Sequence, residues 1–333
     1  MSARHILVIG TGSAGKRHGS NLASLGCEIS YMDPRQDRLD EVSDASYVKG
    51  TYTSLDTAFD KINNLDGVVV ASPPVFHVDQ AIKALDEGLP VLLEKPVSPN
   101  EKSARRLQAA VASSNTPLLL GYTWRWWQPL GQVKELLDQN EIGNLRSVQF
   151  VMSAHLADWH PWESYREFFM ASKELGGGAL LDESHWIDLM LWLLGTPKSV
   201  YASIDKISDL DIDTDDNVDL VIHYEDGLVV TMHLDLYGRP HQKYIRFIGE
   251  DGTIFWTADP NRVMVSHDME GNWKETSYDC ERNDMFLAAA KEFVSILEGE
   301  PEKTCHIGDG LKVLAFIEAA RESNNNKSVF AIN

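Results

Sequence analysis

The sequence predicts two fold classes in one chain: an N-terminal α/β half on a doubly wound parallel sheet, and a C-terminal α+β half on a large, mostly antiparallel open sheet. Three observations carry that reading. Short, wholly apolar strands alternate with helical stretches over the first 120 residues. A glycine-rich turn closes the first of those strands. From Val200 onward, strands separated by Glu-Asp-Gly and Asp-Gly turns take over. At 333 residues the chain is long for a single core, which favours two domains. They are expected at 1–122 and 123–333, with the final helices packing back on the first.

The elements follow in order. A buried strand is expected over His5–Ile9, a helix over Lys16–Leu25 and a second strand over Glu28–Met32. Leu55–Ile62 reads as helix, Gly67–Ala71 as strand and His77–Glu87 as helix. Pro90–Leu93 reads as strand, Glu101–Ser113 as helix and Leu118–Leu120 as strand. Strands that are apolar throughout are buried on both faces, as in parallel sheets crossed over by helices. Right-handed crossovers wind such a sheet doubly. After Tyr122 the texture changes. A helix over Leu130–Gln139 leads to a strand over Leu145–Met152, an aromatic loop through Trp159 and Trp162, and an apolar helix over His185–Leu194. Strands are then expected at Tyr201–Ile207, Asp219–Tyr224, Leu228–Leu236, Tyr244–Gly249, Thr253–Thr257 and Val263–Ser266. Turns such as Glu225-Asp226-Gly227 divide them as hairpins require. Helices over Asn283–Leu297 and Asp309–Arg321 close the chain.

Composition narrows the function. With 43% hydrophobic and 24% charged residues, the chain has the make-up of a folded globular protein. A net charge of −20 argues against nucleic acid and anionic membranes as partners, although a salt-adapted source would produce the same acidity. Three cysteines, Cys27, Cys280 and Cys305, form no Cys-x-x-Cys pair, so neither a metal site nor a disulfide framework is expected. No apolar stretch reaches the roughly eighteen residues of a membrane span. The opening strand is too brief for a signal peptide's core. A soluble cytoplasmic protein is the expectation.

Two motifs point to chemistry. Gly10-Thr11-Gly12-Ser13-Ala14-Gly15 follows a strand and precedes a helix. In that setting the glycines allow a tight turn, close backbone approach to a pyrophosphate and close helix–strand packing, and the helix N-terminus faces the phosphates. Asp33, at the end of the second strand, suits the ribose hydroxyls and favours NAD over NADP; Arg35 keeps NADP open. Ser72, Pro73 and His77 follow the next buried strand at an edge where ligands of such sheets bind, and His77 reads equally as a cap or packing residue. The second motif, Glu94-Lys95-Pro96, puts a lysine at the carboxyl edge of a strand, where an amine can exchange a proton with a hydroxyl or carbonyl. Pro96 shapes the turn, with a cis bond as one option. Further on, Gly176-Gly177-Gly178 precedes Asp182, His185 and Asp188. His185 and Asp188 share a helical face; Asp182 is a helix cap or an acid/base partner. A dinucleotide beside acid/base groups points to hydride transfer, with Lys95 and His185 expected to meet at one cleft.

These segments resemble the glucose–fructose oxidoreductase / inositol dehydrogenase / MocA (Gfo/Idh/MocA) family over nearly the whole chain, together with Gly121-Tyr122-Thr123-Trp124-Arg125, Glu141-Ile142-Gly143 and Gly308-Asp309-Gly310. The resemblance implies a Rossmann domain, then a domain whose open sheet forms homodimers or homotetramers. It implies NAD(P)-dependent oxidation of a secondary alcohol on a sugar, cyclitol or related small molecule. By resemblance Lys95 is the acid/base lysine, His185 shares the proton transfer, and Asp188 matches an aspartate three residues beyond that histidine. Asp182 departs: it stands three residues before His185 where many members have four, a rotation of about 100° on a helix, which leaves packing or substrate binding as its other roles. Glu94, Lys95 and Arg125 join the candidate cofactor contacts. Trp124, Trp126 and Trp127, with Trp159, His160, Pro161 and Trp162, either line a pocket that stacks on sugar faces or form core. Trp124, Arg125, Tyr165 and Arg166 are candidate substrate contacts, the arginines suiting a carboxylate or phosphate. The family also implies two alternatives: a glycosidase that uses tightly held NAD transiently, and a sensor that binds the dinucleotide without chemistry.

Overall fold

The computed structural model describes residues 3–159 and 164–332. The chain divides into two compact units, Met1–Trp126 with Arg282–Leu311, and Trp127–Glu281 with Lys312–Asn333. The first division thus falls four residues beyond the expected 122, and a C-terminal stretch returns to the first unit.

The first unit opens with β1 (His5–Ile9), α1 (Ser13–Ser24), β2 (Glu28–Met32), α2 (Gln36–Ser43), β3 (Val48–Tyr52) and α3 (Leu55–Lys61). It continues with β4 (Gly67–Val70), α4 (Pro74–Asp86), β5 (Val91–Leu93), α5 (Glu101–Ser114) and β6 (Leu118–Leu120). The six strands are parallel in the order β3-β2-β1-β4-β5-β6. That is a doubly wound sheet whose strand order reverses between β1 and β4, where ligands bind beyond the carboxyl ends. Its central strands are buried as their composition requires: every residue of β4, β5 and β6 is buried. Two elements were not expected. In α2 only Leu39 and Val42 are buried, too few to mark a helical stripe, and β3 is a half-exposed edge strand interrupted by Gly50. Helices α1 and α4 also start earlier than expected, at Ser13 and Pro74.

The second unit contains α6 (Gln128–Asp138), β7 (Leu145–Ser153), α7 (Ala179–Asp182), α8 (Ser184–Leu194), β8 (Ser199–Asp205), β9 (Asn217–His223) and β10 (Val229–Asp235). It adds β11 (Gln242–Gly249), β12 (Thr253–Ala258), β13 (Asn261–Ser266) and β14 (Lys274–Ser277). Helices α9 (Arg282–Leu297) and α10 (Ile307–Asn326) and the short β15 (Phe330–Ala331) complete the chain. The nine-stranded sheet runs β14-β13-β12-β11-β7-β10-β9-β8-β15. All neighbours are antiparallel except β7 and β10, which run parallel. One face is core. Phe150 of β7 lies 6.4 Å from Trp186 of α8, and Trp256 of β12 lies 6.2 Å from it, between ring centroids. The polar β14, Lys-Glu-Thr-Ser, carried no strand signal.

Helix α9 belongs to the first unit, where Ala290, Phe293 and Ile296 join the core of Ile6, Leu22 and Tyr31. Helix α10 is divided at Leu311. In its first turn Gly310 packs tightly: a Cβ there would stand 2.4 Å from Cγ2 of Val97. Farther along, Oγ of Ser323 accepts from the Ala202 N–H at 3.0 Å. Among the described residues no helix is long and apolar enough to cross a membrane.

Candidate functional site

The turn between β1 and α1 is Gly10-Thr11-Gly12. Gly10 has φ +92°, and a Cβ there would stand 2.7 Å from the Ala71 carbonyl oxygen beyond β4. A Cβ on Gly15 would fall 1.9 Å from the Gly10 oxygen, so this position must lack one for α1 to lie against its own turn. Gly12 is different: among the described residues nothing lies within 4 Å of its Cβ position. It is the N-cap of α1, and no side chain caps that end, which leaves N–H donors for a phosphate group. Asp33, just past β2, accepts at Oδ2 from both the N–H and the hydroxyl of Thr11, each at 2.9 Å, and at Oδ1 from the Arg35 N–H at 2.9 Å. Its carboxylate is thereby tied to the glycine turn with lone pairs left for ribose hydroxyls. The Arg35 guanidinium is held on the exposed surface by Asp37, at 2.5 and 3.2 Å. These residues fit a dinucleotide.

The lysine turn lies along the same sheet edge. The Glu94 N–H donates to the Val70 oxygen at 2.9 Å, extending the ladder of β5 by one residue, and the Lys95–Pro96 bond is cis. Lys95 is partly exposed between the buried Glu94 and Pro96. Glu94 turns inward: its carboxylate meets Nε2 of His18 at 2.7 Å and the Lys95 N–H at 3.2 Å. Burial pushes its carboxyl up, but the His18 bond and the nearby Lys95 outweigh this and hold it below the usual range. His77 is fully buried and braces the other side, with Nδ1 2.8 Å from the Pro96 oxygen and Nε2 2.7 Å from the Ser72 oxygen. Burial pushes its pKa down, against the two carbonyls that favour the cation. Ser72 donates its hydroxyl to Gln80 at 2.6 Å. The glycine turn, the end of β4 and the lysine turn are therefore interlocked at one edge.

In the second unit the glycine run is gripped from a distance. Gly176 and Gly178 have φ +83° and +109°, and a Cβ on Gly177 would stand 2.4 Å from the Met170 oxygen. Asp213, Thr214 and Asp215 fasten this segment. Asp213 accepts from the Lys173 N–H at 2.7 Å, Thr214 donates to the Met170 oxygen at 3.0 Å, and Asp215 accepts from the Leu180 N–H at 2.8 Å. Burial pushes the Asp215 carboxyl up despite that bond. Asp182 ends α7 rather than opening the next helix, and Glu183 occupies the N-cap of α8. Its carboxylate takes the Trp186 indole N–H at 3.0 Å. Asp182 and Asp188 are both buried; from Ala179 to Met190, His185 alone is not.

Arg125, Trp126, Tyr165 and Arg166 make contacts within their own units. Arg125, its side chain 6% exposed, donates to the Thr304 oxygen at 3.0 Å and to Asp309 at 3.2 Å. Trp126 donates to Glu292 at 2.9 Å, Trp127 is buried and Trp124 half-buried. Arg166 pairs with Asp211 at 2.7 Å and lies over the Tyr165 ring at 4.8 Å. Trp159 is half-buried; His160, Pro161 and Trp162 lie outside the described residues. Sequence reasoning passed over His18 and the Asp213–Asp215 grip. His18 had one signal: it stands three residues after Gly15 and four before Leu22, on the buried stripe of α1. The Asp213–Asp215 grip had none.

A doubly wound sheet with an uncapped, glycine-opened helix at its switch point defines a dinucleotide-binding domain. Residues 4–122 match the model of an oxidoreductase family with an NAD-binding Rossmann fold, and residues 130–255 match the GFO/IDH/MocA C-terminal domain. The chain belongs to the Gfo/Idh/MocA family, and the protein is an NAD-binding oxidoreductase. It is similar to the rhizopine catabolism protein MocA of Rhizobium meliloti, 26% identical over 284 residues, covering 80% of this chain and 79% of that one. The inositol 2-dehydrogenase of Leifsonia xyli subsp. xyli is 28% identical over 198 residues, covering 57% of this chain and 54% of its own length; the chain thus spans about half of that relative. A levoglucosan dehydrogenase solved in complex with NADH superposes with a TM-score of 0.88 at 18% identity, over 99% of both chains. At that identity the likeness shows the fold.

Proposed function

We propose that the protein transfers hydride between NAD and a secondary alcohol or ketone of a sugar or cyclitol, with Lys95 and His185 carrying the proton. The observation that carries this reading is the interlocked edge of the first unit, where the glycine turn and the lysine turn are bound to each other through Ala71, Ser72 and His77. The relatives' names, inositol 2-dehydrogenase and levoglucosan dehydrogenase, support the substrate class. Gly10, Gly12, Ser13, Ala14 and Gly15 would hold the pyrophosphate, and Asp33 the adenosine ribose. When bound, the dinucleotide supplies the hydride acceptor or donor. Lys95 binds the reacting oxygen and takes its proton in oxidation or returns it in reduction. His185, partly exposed on an otherwise buried run, shares that proton. Asp188 supports His185 from its own helical face, and the buried Asp182 serves packing or substrate binding. NAD is preferred over NADP because the Asp33 carboxylate repels a 2′-phosphate while Arg35 is occupied by Asp37.

The open face of the large sheet exposes Tyr201 (40%), Val221 (37%) and Ile248 (37%). We propose it as the surface for homodimers or homotetramers; a monomeric mass by light scattering at micromolar concentration overturns that part.

The functional test follows absorbance of reduced nicotinamide with NAD or NADP and a panel of myo-inositol, D-xylose and levoglucosan. Lys95→Ala lowers turnover by about 10²-fold or more while NADH still binds. An unchanged rate refutes the assignment. Cleavage of a glycoside without net NADH, or NADH binding with no turnover of any panel member, replaces the reading with transient redox or sensing.

A further inference from the structure

Two buried histidines grip the turn that carries Lys95, and the contact made through Glu94 joins residues 76 apart in the chain. His18 sits on the helix that opens at the glycine turn, and Glu94 immediately precedes the lysine. The His18 ring is fully buried and lies edge-on against Phe286, with ring centroids 5.6 Å apart. Among the described residues its Nδ1 meets no hydrogen-bond partner, so the bond to Glu94 is donated by Nε2–H. Among the described residues, a ring placed in this way serves Glu94 and no other polar group. Burying a carboxylate is expensive even when it is paired, and an apolar pair would fill the same space without that cost. The charge therefore has a use at this position. The charged and titratable groups facing Glu94 are Arg17 and His18 of α1, Lys95 beside it and His77 of α4.

We propose that Glu94 is the positioning residue for Lys95, held in place by His18, so that the helix facing the coenzyme phosphates and the turn bearing the acid/base amine form one rigid piece. The inference rests on Lys95 being the acid/base group. It assigns Glu94 to the lysine rather than to the coenzyme. A buried negative charge beside the ammonium favours its protonated form, and the bonds to His18 and to the Lys95 N–H fix the direction in which the turn presents the lysine.

The test compares Glu94→Gln, His18→Leu, His18→Gln and Lys95→Ala. The first readout needs no turnover: labelling of the Lys95 amine by trinitrobenzenesulfonate across pH, quantified by peptide mass spectrometry on coenzyme-free protein. In Glu94→Gln the labelling midpoint moves to lower pH, by about half a unit to one unit. The second is kinetics with NAD and myo-inositol, or the panel member that the wild type oxidises. Glu94→Gln and His18→Leu lose kcat by roughly 10²-fold, as a misplaced catalytic group does, while the Kd for NADH, read by fluorescence, stays within about twofold. His18→Gln, whose amide N–H reaches the same carboxylate, recovers most of the turnover. A wild-type labelling profile and kcat in Glu94→Gln overturn the proposal. So does a loss of NADH affinity in step with kcat, which would make Glu94 a coenzyme contact. If His18→Leu does not fold, the labelling of Glu94→Gln decides. Full turnover by Lys95→Ala would instead remove the acid/base assignment, while a shifted labelling midpoint would still stand for Glu94.

Discussion

The glycine turn of the first unit and the glycine run of the second use one residue type to different ends. At Gly10 and Gly15 the missing side chain lets backbone meet backbone, and the contacts under 3.4 Å lie within the turn itself or at the neighbouring β4 exit. At Gly177 and Gly178 the backbone also needs room, but it is then held by side chains of Asp213, Thr214 and Asp215, 35 residues farther on in the case of Leu180 and Asp215. The first site is a backbone device, made by main-chain atoms of the turn and of Ala71 and Ser72 beyond β4. The second is a tertiary assembly in which carboxylates stand in for ladder partners.

The largest effect expected from this contrast is at Gly10. Alanine there meets φ +92° together with three backbone atoms of residues 71 and 72 at 2.7 to 2.9 Å. Gly10→Ala should cost about 3 kcal/mol of stability or more, read as a shift of the urea midpoint, and should abolish NADH binding. Gly12→Ala, with open space around it and an ordinary φ of −68°, should stay within about 0.5 kcal/mol of wild type yet still weaken NADH binding. Equal destabilisation by both would mean that Gly12 serves the fold rather than the ligand.

A smaller effect is expected at Asp215. Asp215→Ala leaves the Leu180 N–H without its acceptor, a cost of about 1 to 2 kcal/mol. Asp215→Asn keeps an oxygen for that N–H and sheds a buried charge. Because burial raises the folded carboxyl above its unfolded value, the contribution of this group is present at acid pH and is lost as pH rises through the folded value. Asp215→Asn should therefore match or exceed wild type at pH 7 and fall level with it near pH 3, measured by urea unfolding at both. An asparagine variant as unstable as the alanine would show that the charge itself holds the glycine run.

What could be read from the sequence follows the same division. Buried strands such as Val91–Leu93 and the glycine turn announce themselves because strand burial and turn conformation are written in adjacent residues. Helix α2 and strand β3 were silent because each shows only part of an apolar pattern. Lys95 and His185 stood out by motif. Their supports did not: His18 meets Glu94 across 76 residues, and Asp215, in the segment leading into β9, reaches Leu180 across 35. Arg125 read as a ligand contact from its motif, and the sequence held no sign that its guanidinium also meets Asp309, 184 residues away. No local signal announces a partner so far along the chain.

Carboxylates act on a second group in this unit, this time from strands, and here the expected effect is smallest but carries a definite sign. His233 of β10 lies between Asp219 of β9, 2.7 Å from Nδ1, and Asp235, 3.0 Å from Nε2. Both ring nitrogens donate to carboxylates, so the imidazolium is the favoured form. The Asp235 bond leads, burial opposes it and Asp219 adds to it, leaving the ring pushed up to about 9 from 6.5. A folded value above the unfolded one means that the stabilisation is complete below about pH 6.5 and is lost as pH rises through about 9. His233→Gln should therefore be less stable than wild type at pH 6, with the gap in thermal midpoint closing by pH 10. The side chain is 34% exposed, so solvent screening keeps the gap modest, and 1 M salt should narrow it further. A gap that stays constant from pH 6 to 10 would mean that His233 acts through packing, and the reliance on distant carboxylates would then be confined to the glycine run.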